Sequence, residues 1–264
     1  MKKKVLLHEM TRGYFEEYLK ENPKAVAIIP LGSIEQHVPH LPLGSDMLSA
    51  LERSIRIAEL TDSFVVQPCL SGYSPHHLDF KGTISFKTET LIAVLMDTIE
   101  SLRKHDVQRV LFVNTHAGNE HIIGYVKKEA SLRFGVMVAS PRIYLEDSQQ
   151  ILDKRKYKEL DIHAGRGETS VMLKLKPDLV EMERVVNWKP SVKISPELKE
   201  LLKKEPKTEV DKLLIEILLP IKTIDITDTG IYGFLDPNDA DPMKYDLEKS
   251  IEPVVEFIKR WKEF

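Results

Sequence analysis

Between residues 25 and 140, apolar runs of strand length alternate with amphipathic stretches of helical length, and few folds accommodate that alternation. "AVAIIPLGS" (25–33), "FVVQP" (64–68), "RVLFVN" (109–114) and "GVMVAS" (135–140) read as strands. The stretches between them, "DMLSALERSIRIAEL" (46–60), "TETLIAVLMDTIESLRKH" (88–105) and "NEHIIGYVKKEASLRF" (119–134), repeat apolar residues at helical spacing. Strands separated by helices of this length build βαβ units around a mostly parallel sheet. The strands carry no polar alternation, so both faces of the sheet are expected to be covered.

The second half is less regular. Helices are expected over 168–177, 195–206 and 246–264, the last with Pro253 as a candidate kink. The acidic loop 227–245 is long for a compact domain, and such loops are often functional. No repeat or linker divides the chain, so a single domain over 1–264 is the expectation.

In open α/β sheets, ligands sit beyond the carboxyl ends of the strands. Three polar clusters follow strand ends or lie where one is expected: "GSIEQH" leading on to Asp46, "NTHAGN" (114–119) and "HAGRGETS" (163–170). In extended chain, Glu35 and His37 point to one side and Gln36 points away. Pro39 and Pro42 stiffen the return to Asp46, and His116 arrives from a neighbouring strand end. Imidazoles mixed with carboxylates suit Zn, Mn or Fe. If Asp46 bridges, one ion takes Glu35 and His116 and the other takes His37. Two ions about 3.5–4 Å apart can acidify a shared water and polarise a carbonyl. Each piece also has an ordinary reading: Asp46 as a helix cap, Glu35 and His37 as an exposed turn, Glu168 as a complement to a helix dipole. Their convergence on one edge of the sheet favours a metal centre.

Composition narrows the function classes. The net charge of −3 gives no basic excess for nucleic acid. Nothing approaches the ~18 consecutive apolar residues of a membrane span. The start "MKKKVLLHEM" lacks the long apolar region of a secretory signal, so a cytoplasmic protein is expected. Cys69 is the single cysteine, which rules out an intrachain disulfide.

"PLGSIEQHVPHLPLGSD", "HHLDFKGTISF", "VNTHAGN" and "HAGRGETS", in this order over roughly residues 25 to 180, resemble the creatininase (creatinine amidohydrolase) family. The resemblance implies a three-layer αβα fold and two divalent metal ions (Zn, Mn or Fe). It also implies hydrolysis of a non-peptide C–N bond in a small amide, and a homo-oligomer, often a hexamer. By motif position Glu35, His37, Asp46 and His116 resemble the metal ligands. Glu168 resembles a further acidic residue at the metals, and His163 the general acid/base. His76, His77 and Gly118 are the expected substrate-side residues.

Departures from the family pattern bear on the substrate. Creatininase proper carries a ligating glutamate where Gly118 stands, so Glu168 would have to complete that shell. The segment "RIYLEDSQQILDKRKYKELDI" ahead of "HAG" lacks the substrate-stacking tryptophans; Trp188 and Trp261 lie after it. Lys81 replaces a usual proline. Creatinine itself is therefore disfavoured against other cyclic amides or formamides. Family members include deformylases of a formamidopyrimidine nucleotide in archaeal flavin and deazaflavin biosynthesis, and proteins that process a small peptide precursor. Two other readings stand beside these. One is a metal-dependent phosphatase or nuclease, against which the balanced charge counts. The other is a non-catalytic oligomeric binding protein on the same fold, which would be expected to lose a ligand or His163.

Overall fold

A computed structural model describes residues 4–141, 161–185, 188–189, 193–204 and 207–264. Its centre is a parallel sheet in the order β2-β1-β3-β4, formed by β1 (Val26–Leu31), β2 (Phe64–Val65), β3 (Arg109–Asn114) and β4 (Met137–Ala139). Every residue of β1 and β3 is buried. Pro30 lies in β1 opposite Val113, past the two residues paired with β2, so its missing N–H costs the ladder little.

Helices cover both faces. Ala27, Ile29, Leu31, Val110 and Phe112 face α3 (Thr88–Lys104) and α4 (Glu120–Phe134), with Tyr18 of α1 (Arg12–Glu21) in the same cluster. Val26, Ile28, Leu111 and Val113 face Ile57 and Ala58 of α2 (Ser45–Thr61) and Ile251, Val254 and Ile258 of the C-terminal helix. This is the expected three-layer αβα arrangement. Phe112 sits wholly buried on a central strand, so Phe112→Ala is expected to cost about 3–5 kcal/mol, read as a lower urea midpoint at unchanged slope.

Outside this frame, α5 (Arg166–Leu175) begins two residues before the expected helix. α6 (Pro196–Lys203) falls inside the expected 195–206, whose residues 205–206 lie outside the described ones. Unexpected elements are α1, capped by Thr11, and α7 (Glu209–Leu218), which starts with a Thr208–Asp211 capping box. After the short α8 (Thr223–Ile226), α9 (Leu247–Trp261) runs through Pro253 as one element. The strands are shorter than the apolar runs: β2 keeps two residues of 64–68 and β4 three of 135–140.

The loop 227–245 holds a strand. β6 (Tyr232–Gly233) pairs antiparallel with β5 (Asp161–His163), which carries His163. Among the described residues no helix is long and apolar enough to cross a membrane.

Candidate metal centre and active site

The carboxyl ends of β1 and β3 deliver the first residues. Past β1 the chain makes one antiparallel bridge, Ile34 to Ile84, and Thr83 Oγ1 accepts the N–H of Gln36 at 3.0 Å. This brings the 71–86 segment, with His76 and His77, beside Glu35. Asp46 lies in the first turn of α2 but is not its cap; Gly44 holds that position. Its carbonyl accepts from Thr115 Oγ1 at 2.7 Å, tying it to the end of β3.

Glu35, His37, Asp46 and His116 are all buried and meet at one point. Asp46 stands between the two histidines, with Oδ1 3.4 Å from His37 Nε2 and Oδ2 3.2 Å from His116 Nδ1. Glu35 Oε2 is 3.4 Å from His116 Nδ1, and Glu168 Oε2 is 3.7 Å from His37 Nε2. Glu168 comes from the start of α5, where it also accepts the N–H of Ala164 at 2.5 Å. His163 points Nδ1 toward Glu35 Oε1 at 3.7 Å, and His77 points Nε2 at the same oxygen at 3.5 Å. His76 lies parallel to the His116 ring, 5.9 Å away, within ligand reach of Glu35 and His116.

Second partners fix which nitrogen of each buried histidine faces the cluster. His116 Nε2 donates to the Tyr73 carbonyl at 2.9 Å, so the bare Nδ1 looks at Glu35 and Asp46. His37 Nδ1 donates to the Glu35 carbonyl at 3.2 Å, so the bare Nε2 looks at Asp46 and Glu168. Histidines that ligate metals are commonly oriented in this way by a carbonyl on the far nitrogen. Glu35 Oε2, His37 Nε2 and Asp46 Oδ2 are buried without a hydrogen-bond partner. Unsatisfied buried atoms are rare, and three converging ones fit an ion that needs donors.

The electrostatics agree. Burial alone would lower the His37 pKa, yet Asp46, Glu168 and Glu35 raise it to about 10. Burial likewise opposes the charged form of His116, and Glu35 and Asp46 overcome it, to about 9. Burial would raise the Asp46 carboxyl, but His37 and His116 hold it well below the usual carboxylate range. The carboxylates demand positive charge, which divalent ions satisfy as well as protons do. His76 and His77 are pushed down, chiefly by burial, His76 to about 4, so both are neutral imidazoles near pH 7.

Gly118 lies against His116. A Cβ there would lie 2.3 Å from the Tyr73 carbonyl and 2.4 Å from His116 Nε2, so the residue lets the 73–74 turn close over the back of His116. Lys81 is exposed, in keeping with a solvated loop lysine.

Sequence reasoning missed several supports. Ser74 Oγ lies 3.1 Å from His116 Nε2 and 2.5 Å from Ser33 Oγ. His40 is buried against Thr169 Oγ1 at 2.9 Å and takes no part in the carboxylate cluster. Gln36, expected to point away, does leave the cluster but runs under His163 and His77. Neither Gln36 nor the serines are titratable, so a search for charged clusters passes over them.

Comparison with known proteins agrees with this geometry. A family model described as creatininase, creatinine amidohydrolase, matches residues 8–258. The creatinine amidohydrolase of Pseudomonas putida is 31% identical over 207 residues, 72% of this chain and 79% of that protein. The mycofactocin precursor peptide peptidase of Mycolicibacterium smegmatis is 31% identical over 182 residues, 66% of this chain and 68% of that protein. A crystal structure of creatinine amidohydrolase superposes with a TM-score of 0.74 at 26% identity, covering 98% of each chain. The chain belongs to the creatininase family of hydrolases, which act on small amide or peptide-like C–N bonds.

Proposed function

We propose that this chain hydrolyses the C–N bond of a small cyclic amide or formamide with two divalent ions (Zn, Mn or Fe). Glu35, Asp46 and His116 hold one; His37, Asp46 and Glu168 hold the other. The observation that carries the reading is the set of converging unpartnered atoms on Glu35, His37 and Asp46, with His37 and His116 locked by carbonyls behind them. Glu168 beside His37 takes the place of the glutamate that Gly118 removes.

When bound, the ions supply Lewis acidity to the amide oxygen and acidify the attacking water. The protein does the rest. His163 presents Nδ1 to the cluster, takes up there the proton that the attacking water gives up, and passes it to the leaving nitrogen as the C–N bond breaks, while the water oxygen stays on carbon. His77 directs Nε2 at Glu35 and steadies it, and His76 borders the substrate side.

A homo-oligomer belongs to the same reading. Val210, Leu213 and Ile217 make an exposed apolar stripe along α7, 64%, 52% and 78% accessible, and such a surface supports self-association.

Reloading the metal-free protein with zinc, manganese or iron and assaying creatinine, hydantoin and formamidopyrimidines tests the proposal. About two ions per chain are expected, with turnover of a substrate other than creatinine and negligible creatinine hydrolysis. Efficient creatinine turnover would show that creatinine is held without the stacking tryptophans and with glycine at 118. Metal-loaded protein inert on every amide would favour the binding-protein reading.

A further inference from the structure

Gln36 lies between two of the proposed ligands and is only 5% exposed. Its Oε1 accepts the N–H of Val38 at 3.2 Å. Its Nε2 lies 3.1 Å from His77 Nδ1, 3.0 Å from His163 Nε2 and 3.1 Å from the carbonyl of Gly230. Its own backbone carbonyl is 2.8 Å from His163 Nε2.

Counting donors resolves this network. A carbonyl only accepts, so the 2.8 Å contact requires a proton on His163 Nε2. The two hydrogens of the Gln36 amide then go to His77 Nδ1 and the Gly230 carbonyl. With the Val38 N–H on Oε1, four donor hydrogens meet four acceptors, and the 3.0 Å approach of Gln36 Nε2 to His163 Nε2 carries no hydrogen bond. Turning the amide over would set oxygen against the Gly230 carbonyl and nitrogen against the Val38 N–H, two like pairs.

We propose that Gln36 is a positioning residue that fixes the tautomers of both His163 and His77. His163, with its Nε2 proton tied to the Gln36 carbonyl, presents Nδ1 to the cluster. His77, accepting at Nδ1, carries its proton on Nε2 and aims it at Glu35 Oε1. Gly230 completes the cage: it has φ +87°, and a Cβ there would lie 2.0 Å from Gln36 Oε1. The long loop is thereby coupled to the side chain expected to move the proton. The catalytic consequence rests on the hydrolase reading above; the tautomer assignment does not.

The test uses Gln36→Met, which keeps length but removes the donors, and Gln36→Glu, which keeps shape but turns the donor into an acceptor. Each is made in the wild-type chain and in His163→Asn. Zinc-loaded protein is assayed on 4-nitroformanilide, a formamide that releases coloured 4-nitroaniline. Both variants are expected to lose about 10- to 100-fold in kcat at unchanged KM and zinc content. In the His163→Asn background neither should lower kcat further, because Gln36 acts through His163. Equal losses in both backgrounds would overturn the proposal in favour of a general structural role. Long-range proton–nitrogen spectra of metal-free protein labelled with 15N-histidine, at a pH where the rings are neutral, supply an independent readout. Wild type is expected to show His163 and His77 as Nε2–H tautomers, and Gln36→Glu to convert His77 to Nδ1–H. A wild-type His77 protonated on Nδ1 would also overturn it. If 4-nitroformanilide and every other amide go unhydrolysed, the hydrolase reading fails and the spectra still decide the role of Gln36.

Discussion

His163→Asn is expected to keep its metal and its melting temperature and to lose about 100- to 10,000-fold in turnover, the usual contribution of a general acid/base. The His163 ring is held from both sides, its centroid 4.5 Å from that of His37 and 4.4 Å from that of His77. Its Nε2 is committed to the Gln36 carbonyl, so only Nδ1 can exchange a proton with a substrate at the cluster. Asparagine can still donate to that carbonyl and still fill most of the space. What it cannot do is carry a positive charge and release a proton. Metal analysis, thermal unfolding and turnover on one preparation separate the outcomes. Loss of metal together with rate would make His163 a ligand, and it does lie within ligand reach of Glu35 and His37. Wild-type rate and metal would reduce it to a loop residue.

Asp46→Ala is expected to abolish measurable turnover and to lose more bound metal than either His37→Ala or His116→Ala. The two carboxylate oxygens face different histidines, Oδ1 toward His37 and Oδ2 toward His116, so one substitution removes a donor from each half of the centre. Each histidine change touches one half only. The fold should survive, because Asp46 is not the cap of α2 and its backbone link to Thr115 does not involve the carboxylate. Full metal occupancy in Asp46→Ala would sink the shared position of this residue and leave two separate, weaker sites.

The sheet and its helices were legible because a strand covered on both faces must be uninterruptedly apolar, as Ile28, Ile29, Val110 and Phe112 are. Strand ends were less legible, since apolar character continues at Val66, beyond the last paired residue Val65, where only the N–H still reaches the Ile28 carbonyl of β1. β5 and β6 were illegible: three and two residues carry no periodicity, and their pairing links segments far apart in the chain. The helix α7 carries a start signal in Thr208 and Asp211, a capping box that apolar periodicity alone does not register. At the site, Glu35, His37, Asp46 and His116 could be named because their types and spacing speak of metal chemistry, and Glu168 only through the resemblance of "HAGRGETS" to the family motif. Gln36 and Gly230 could not, because a hydrogen-bond network is defined by distances between residues that only folding brings together.

The β5–β6 pairing also has a consequence for how the protein is made. Residues 26–139 supply the central sheet and four of the clustered side chains, Glu35, His37, Asp46 and His116. The carbonyl that steadies Gln36 belongs to Gly230, and the strand that flanks His163 begins at Tyr232. At about 5–20 residues per second, a ribosome needs several seconds to travel from one set to the other. A nascent chain, or a fragment from interrupted translation, therefore carries an acidic half-site while His163 still lacks its clamp. The contacts around Gln36 and His163 are therefore among the last that the growing chain can complete.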